Sequence, residues 1–176
     1  LNKMDLGLYR SLGSNLIWEG KKFLNKATLV KKIEYSASQI LTTIANYTKL
    51  PDGKIYSADT KHNTTDIDTW KLIIDNDWIN KKEYISEIFD CDNYAGSFSS
   101  HVADIYLLNS AARVTVELRN PTTDAHIGYH RACLIVDDKL DCWLLETQTD
   151  KMIKIVPGVY PVIDNWKYIF NYVDIN

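Results

Sequence analysis

The hydrophobic period of this chain changes once, near residue 110, and that change limits the fold classes open to it. Apolar side chains recur at intervals of three and four in residues 29–47 and 91–105, which is the spacing of one buried helix face. Residues 113–118 instead alternate apolar and polar side chains, the period of a β-strand. Helices followed by strands predict an α+β architecture in which helices pack on an antiparallel sheet.

The rest of the chain divides by the same criteria. Residues 12–24 predict one or two further helices, because Gly13 and Gly20 interrupt their apolar pattern. Residues 56–68 are polar and predict a surface loop, whereas 70–74 and 78–79 are too short to assign. Strand formers at 84–89 lead into the helix that begins near 91. The predicted strands after residue 120 are 128–136, 140–147, 152–156, 159–163 and 166–173.

Length and composition favour one domain. A chain of 176 residues that is 45% hydrophobic can bury one substantial core. We expect a single domain over residues 1–176, with a helical N-terminal part at 1–50 and a core at 84–176.

Net charge and cysteine count exclude several classes of partner. The net charge is −3, and the basic residues form no cluster for nucleic acid or a membrane surface. Apolar runs fall short of the roughly 18 residues that a membrane span needs. Three cysteines without a CxxC pair argue against a disulfide framework or a structural zinc site. We therefore expect a soluble, intracellular protein in a reducing compartment, with secretion and oligomeric state left open.

Cys91 stands where a helix begins. In the stretch Asp90-Cys91-Asp92-Asn93-Tyr94-Ala95, Asp92 and Asn93 can cap free amides of the first turn. The partial positive charge of a helix N-terminus eases ionisation of a thiol, and the thiolate is the reactive form. Cys91 is therefore a candidate nucleophile. A buried cysteine that only packs is the alternative, since free cysteine is among the most buried residue types.

The hairpin around Asp138 places a histidine near a glutamate. A two-residue turn at 138–139 would put His130 opposite Thr147 and mix charged with apolar side chains on one face. A three-residue loop at 137–139 gives a face that is apolar up to a final pair, His130 and Glu146. The hydrophobic pattern selects the second register. A carboxylate beside a histidine keeps the ring oriented and basic, as a proton acceptor for a thiol requires; a partly buried ion pair is the alternative.

Three stretches carry a resemblance to known families. They are Asp90-Cys91-Asp92-Asn93-Tyr94-Ala95, Gly128-Tyr129-His130-Arg131-Ala132 and Trp143-Leu144-Leu145-Glu146-Thr147-Gln148, within residues 84–150. Their order of cysteine, histidine and carboxylate resembles the papain-like and transglutaminase-like cysteine enzymes. The nearer resemblance is to the C-terminal cysteine-protease domain of the Marasmius oreades agglutinin and its phage and prokaryotic relatives.

The resemblance implies a papain-like fold and a cysteine-dependent hydrolase, with a peptidase acting on peptide or protein substrates as the first expectation. An amidase or a transglutaminase relative is also in keeping with it. Cys91 would be the nucleophile, His130 the general base and Glu146 the residue that orients it. The amide of Cys91 would supply half of an oxyanion hole, with Trp78, Asn80 or Tyr84 as candidates for the other half.

The same relatives imply a possible calcium requirement. Oxygen ligands would come from Asp90, Asp92, Asn93, Glu146 and Gln148, although helix capping explains Asp92 and Asn93 equally well. The chemistry itself needs no other cofactor.

A second hypothesis comes from another class: a non-catalytic papain-like scaffold used for binding, such as a viral or host-interaction protein. A third is a structural α+β protein in which the three residues never meet. The other candidate side chains have simpler expected roles. His126 is the rival base, His62 and His101 are expected to be exposed, Cys133 and Cys142 are expected to pack within strands, and Trp143 is expected to be structural.

Overall fold

The structure is a computed structural model that describes residues 30–175. Its α-helices are α1 (Ala37–Thr48), α2 (Ile67–Asp75) and α3 (Cys91–Tyr106), with a 3-10 helix at Ile79–Lys81. The strands are β1 (Ile33–Ser36), β2 (Ile55–Ser57), β3 (Lys61–Thr64), β4 (Ala111–Arg119), β5 (His126–Val136), β6 (Cys142–Glu146), β7 (Lys151–Lys154), β8 (Val162–Ile163) and β9 (Trp166–Ile175). The α+β class predicted from the sequence is confirmed.

A seven-stranded sheet forms the centre of the described chain. Six strands lie in the order β2-β9-β4-β5-β6-β7, and β8 pairs with β9. Every pairing is antiparallel except that of β2 with β9, which is parallel. The strands after residue 110 pair antiparallel as predicted, and the parallel strand β2 comes from a stretch that was predicted to be a loop. A short connection cannot produce a parallel pair, and here β2 precedes β9 by more than a hundred residues.

Two apolar clusters pack on opposite faces of this sheet. Ile40 and Ile44 of α1 pack against one set of strand side chains, including Val114, Leu134 and Leu144. Trp70 of α2 and Phe98 of α3 belong to the other cluster. There they lie with the alternate strand residues Cys133, Ile135 and Leu145. The two-residue period of the strands thus divides the core, with helices covering both faces.

The region before α1 departs from the helical expectation. Residues 33–36 form β1, which pairs with β3, and α1 begins only at Ala37. Ser36 is the reason, because its hydroxyl accepts the Gln39 N–H while the Gln39 side chain accepts the Ser36 N–H. This reciprocal cap fixes the start of the helix about two turns later than the apolar spacing indicates. The predicted helices at 12–24 lie outside the described residues.

The polar stretch at 56–68 is not a loop, because it contributes to β2, contains β3 and leads into α2. His62 and Thr64 of β3 are fully buried. Ser57 Oγ lies 2.8 Å from His62 Nε2, and the carbonyl oxygen of Asn109 lies 2.8 Å from Nδ1. The expectation of an exposed His62 was wrong, since hydrogen bonds compensate for burying its polar ring.

The segment at 84–89 is a turn rather than a strand. Ile85 and Phe89 form an isolated bridge, and Glu87 has a positive φ of 63°. That bridge closes the chain on itself, so the segment does not join the sheet, although Phe89 packs against the cluster that contains α3. Ile85 and Ile88 are exposed.

The β5–β6 hairpin has a longer loop than the selected register. Val136 pairs with Cys142 and Leu134 with Leu144, so the loop spans Asp137–Asp141. Asp137 is buried, and its Oδ1 accepts the N–H groups of Lys139 and Asp141 at 2.9 and 3.0 Å. These bonds stabilise a loop that turn propensities alone do not predict. The register is shifted by two residues, which keeps the same side chains on each face.

Candidate functional site

His130 and Glu146 are in contact, although the observed register makes them diagonal rather than directly opposite neighbours. Nε2 of His130 lies 2.6 Å from Oε2 of Glu146, and both side chains are largely buried, with 13% and 8% of their surfaces exposed. The hydroxyl of Tyr168 on β9 donates to the same carboxylate oxygen at 3.1 Å. Glu146 therefore joins side chains from two other strands.

Cys91 meets this group from the N-terminus of α3. Pairing of β5 with β6 extends only to Cys133 and Leu145, which leaves the backbone of Arg131 outside that ladder. The N–H of Arg131 hydrogen-bonds Cys91 Sγ, and a second hydrogen bond joins the sulfur to His130. Because Nε2 of His130 is engaged by Glu146, Nδ1 is the ring nitrogen left for the sulfur.

These contacts shift both ionisation equilibria toward the charged pair. The hydrogen bond from His130 lowers the pKa of Cys91, against the opposing effect of burial, and the Arg131 N–H adds to the lowering. Burial disfavours the charged His130 ring, but hydrogen bonds to Cys91 and Glu146 outweigh it and raise its pKa to about 9. A thiolate beside an imidazolium is the state that this geometry favours.

Two depressions border His130. One, of about 280 Å³, is lined by Leu118, His130, Glu146, Gln148, Thr149, Asp164, Trp166 and Tyr168, and is called the Trp166 groove below. The other, of about 200 Å³, is lined by Cys91, Asp92, Thr115, Tyr129, His130 and Arg131, and is called the Cys91 cleft. His130 is the wall that they share. A ligand in either depression therefore contacts the same ring.

The residues considered for an oxyanion hole are spread over the loop before α3. Trp78 is half exposed, and its ring lies near His101 and beneath the ammonium group of Lys82. Partial desolvation and the charges of Asp90 and Cys91 raise the pKa of Tyr84, so this phenol lies within electrostatic range of the sulfur. The amide of Asn80 donates to Asp150 and is engaged away from the Cys91 cleft.

The residues considered for calcium divide between the two depressions. Asp92 lines the Cys91 cleft, and Gln148 lines the Trp166 groove. A hydrogen bond to Asp90 raises the pKa of Asp92, and partial burial and the nearby Asp90 carboxylate add to this effect. Asn93 accepts the Asp90 N–H at 3.2 Å as part of the helix cap. No cluster of three or more His, Cys, Asp or Glu side chains suited to a metal occurs among residues 30–175.

The remaining candidates have structural contacts. His126 is about half exposed and lies 2.9 Å from Glu117, away from both depressions. His101 is partly buried between the rings of Trp78 and Tyr106. Burial raises the pKa of both other thiols, those of Cys133 and Cys142. Trp143 donates its ring N–H to Asp137 at 2.9 Å.

The sequence did not identify the β9 side of the site. Tyr168, Trp166 and Asp164 come from the last hairpin, more than fifteen residues after Glu146. The alternation of side chains within 166–173 places Trp166 and Tyr168 on one face of the strand. This alternation is the only feature of the sequence that indicates they could line the same site. The pairing of β9 with β4 joins strands that are far apart in the sequence, and the alternation of side chains within a strand does not predict such a pairing.

No helix in the described part of the chain is both long and apolar enough to cross a membrane.

Comparisons with known proteins show the fold but no family. No family model and no curated protein matches the sequence. A structure described as a PSL1a-E64 complex matches with a TM-score of 0.57 and 17% identity, over 80% of this chain and 51% of that chain. A crystal structure of Polyporus squamosus lectin bound to the human-type influenza-binding epitope Neu5Aca2-6Galb1-4GlcNAc matches with a TM-score of 0.55 and 18% identity, over 80% and 49%. This chain spans about half the length of these two structures.

These comparisons correct the interpretation of the chain as a papain-like or transglutaminase-like cysteine hydrolase. Of these two structures, one is a lectin bound to a glycan, and neither is described as a peptidase, amidase or transglutaminase. The expectation that the chain is a thiol protease with a catalytic triad was therefore also wrong. The order of Cys91, His130 and Glu146 carried that interpretation, and order alone does not separate a catalytic from a non-catalytic use of three residues.

Proposed function

We propose that this chain is a non-catalytic binding module and that its ligand is a carbohydrate. The observation that carries the proposal is the fold shared with Polyporus squamosus lectin, which is described in complex with Neu5Aca2-6Galb1-4GlcNAc. That ligand belongs to a chain about twice as long as the shared part, so the test must use this chain itself.

The Trp166 groove has the side-chain chemistry that a sugar requires. Sugar rings present hydroxyl groups at their edges and C–H groups on their faces, so they bind where carboxylates and amides surround an aromatic ring. Trp166 is 38% exposed, and Asp164 and Gln148 border the same groove. A volume of about 280 Å³ is suited to one sugar ring rather than to a larger enclosed ligand.

Cys91, His130 and Glu146 are proposed to act in this module as one charged unit at the wall of the groove. Their support is the hydrogen-bonded series from sulfur to ring to carboxylate. An imidazolium presents N–H donors, which hydroxyl or carboxylate oxygens of a ligand accept. Trp78 and Tyr84 are proposed to contact ligand beyond the Cys91 cleft, because both are about half exposed.

The finer description of the scaffold as papain-like is part of this proposal. Its support is that α3 packs on the sheet with its N-terminal Cys91 beside a strand histidine.

Calcium at the Cys91 cleft is a further part of the proposal. Asp90 and Asp92 fit a hard cation, since their carboxyl groups lie in contact and Asp90 Oδ1 is buried with no hydrogen-bond partner among the described residues. Asn93, in the first turn of α3, is a further candidate ligand at this cleft, whereas Gln148 lines the Trp166 groove.

Isothermal titration of residues 1–176 with Neu5Aca2-6Galb1-4GlcNAc and a panel of neutral oligosaccharides tests the proposal. We expect saturable binding to at least one glycan, and Trp166→Ala should weaken it about tenfold because the stacking surface is lost. Tyr56→Ala removes a more exposed aromatic ring on β2, outside the groove, and should bind as the wild type does.

Two results would contradict the proposal. One is the absence of binding across the panel. The other is multiple turnover of peptide or ester substrates by the wild type that Cys91→Ala abolishes.

A further inference from the structure

We infer that Asp77, Asn80 and Asp150 form a second site, separate from the Cys91 cleft, that binds a hard divalent cation, with Ca²⁺ the best fit. Asp77 lies at the junction between α2 and the 3-10 helix, Asn80 lies within the 3-10 helix, and Asp150 lies in the turn that precedes β7. None of them lines the Trp166 groove or the Cys91 cleft.

Asp77 supplies the central observation. It is 2% exposed, and its Oδ1 accepts the N–H groups of Trp78 and Ile79 at 2.7 and 3.1 Å. Its Oδ2 is buried without a hydrogen-bond partner among the described residues. An unpartnered carboxylate oxygen in the interior is costly, so such an oxygen needs a ligand to account for it.

Asn80 and Asp150 supply two more oxygen donors. The side-chain amide of Asn80 donates to Asp150 Oδ2, and this leaves the Asn80 Oδ1 buried with no partner of its own. The charge of Asp77 acts on Asp150, which places the two carboxylates within electrostatic range. Two carboxylates and an amide oxygen are a hard-oxygen donor set, which Ca²⁺ completes with backbone carbonyls and water.

The balance of charge supports a divalent ion. Asp75, Asp77 and Asp150 lie close enough to interact, whereas Lys81 is the cation that acts on Asp150 from the same loop. A divalent cation would neutralise the excess of two negative charges.

Tb³⁺ luminescence and thermal unfolding test the inference. Trp78 follows Asp77 directly, so its ring should sensitise Tb³⁺ bound at this site, and Ca²⁺ should compete with the Tb³⁺ signal. Ca²⁺ at ~100 times its Kd should raise the Tm of the wild type by about 5 to 10 °C. The calcium site proposed at the Cys91 cleft is first removed by Asp92→Asn. In that background, Asp77→Asn and Asp150→Asn should each abolish both effects, while the amide oxygen of Asp77→Asn can still accept the Trp78 and Ile79 N–H groups.

Two matched variants separate this site from other acidic groups. Asp75→Asn removes an exposed charge of the same cluster, and Asp92→Asn removes one at the Cys91 cleft; both should keep the Tb³⁺ signal and most of the Tm shift. The inference is overturned if the wild type shows neither effect, or if both survive when Asp77→Asn and Asp150→Asn are each combined with Asp92→Asn. Loss of the effects in Asp92→Asn alone would also overturn it. None of these results depends on glycan binding.

Discussion

Nε2 of His130 and Oε2 of Glu146 lie 2.6 Å apart although their strands do not pair them directly. The contact is possible because both residues lie on the same face of the sheet, where diagonal neighbours are within reach of long side chains. Glu146 is held by Tyr168 from the other side. The carboxylate therefore fixes the ring of His130 and keeps it protonated.

Replacing Glu146 by Gln should lower the pKa of His130 from about 9, because the carboxylate is one of the two partners that raise it. A raised pKa stabilises the folded state below the unfolded value of about 6.5, and this stabilisation is lost as the pH rises through about 9. The variant should therefore lose about 1–3 kcal/mol at pH 6 and less above pH 9. NMR titration of the ring and urea unfolding at both pH values measure this.

Glu117→Gln is the matched control, since Glu117 contacts the exposed His126. It should leave the His130 titration unchanged. An unaltered His130 pKa in Glu146→Gln would contradict the role given to the carboxylate.

Cys91 should react with iodoacetamide near pH 7 well before the other two cysteines. His130 lowers the pKa of Cys91, whereas burial raises the pKa values of Cys133 and Cys142. His130→Ala should slow labelling of Cys91 by about tenfold, because a larger share of the thiol stays protonated. Peptide mass spectrometry after timed labelling gives the rate for each cysteine.

His126→Ala removes a histidine that lies away from the cleft. In this variant Cys91 should be labelled at the wild-type rate. Equal labelling of the three cysteines, or no effect of His130→Ala, would be inconsistent with a thiolate at Cys91.

In protein freed of divalent cations by chelation, protonation of Asp150 should make the free energy of unfolding larger at mildly acidic pH than at pH 7. Its pKa is raised to about 6 in the folded state, above the usual 3.8, so the folded form binds the proton more tightly. Stability from this group is therefore gained as the pH falls from 7 toward 4. Because Asp150 is partly exposed, we expect a gain of about 1 kcal/mol, measured by urea unfolding at several pH values.

Asp150→Asn should remove that pH dependence and stabilise the cation-free protein at pH 7. The same slope in the variant and the wild type would exclude Asp150 as its source.

Phe98→Ala should destabilise the protein by about 3–5 kcal/mol, because Phe98 is 1% exposed and packs α3 on the sheet. Thermal or urea unfolding followed by circular dichroism measures the loss. Ile88→Ala, at a residue that is 72% exposed, should change stability by less than about 0.5 kcal/mol. Similar losses in the two variants would contradict the assigned packing.

The sequence by itself determined the helix at α3, most of the strands after residue 110 and the face on which His130 and Glu146 lie. Each of these follows from the spacing of apolar side chains, which is 3.6 residues for a helix and two for a strand. That spacing can be read without knowing which elements pack against the helix or strand. Because a register shift of two residues keeps that face, the His130–Glu146 contact was predicted correctly from the wrong loop length.

Tertiary structure alone decided the rest. Burial of Asp137 set the hairpin loop, pairing with β3 made residues 33–36 a strand instead of a helix, and hydrogen bonds to Ser57 and Asn109 hold His62 in the interior. Each effect depends on burial or on a partner elsewhere in the chain, and a local hydrophobic pattern does not identify such a partner. The use of the Cys91 site is likewise not encoded in residue order, because the same three side chains serve a reaction or a bound ligand according to what surrounds them.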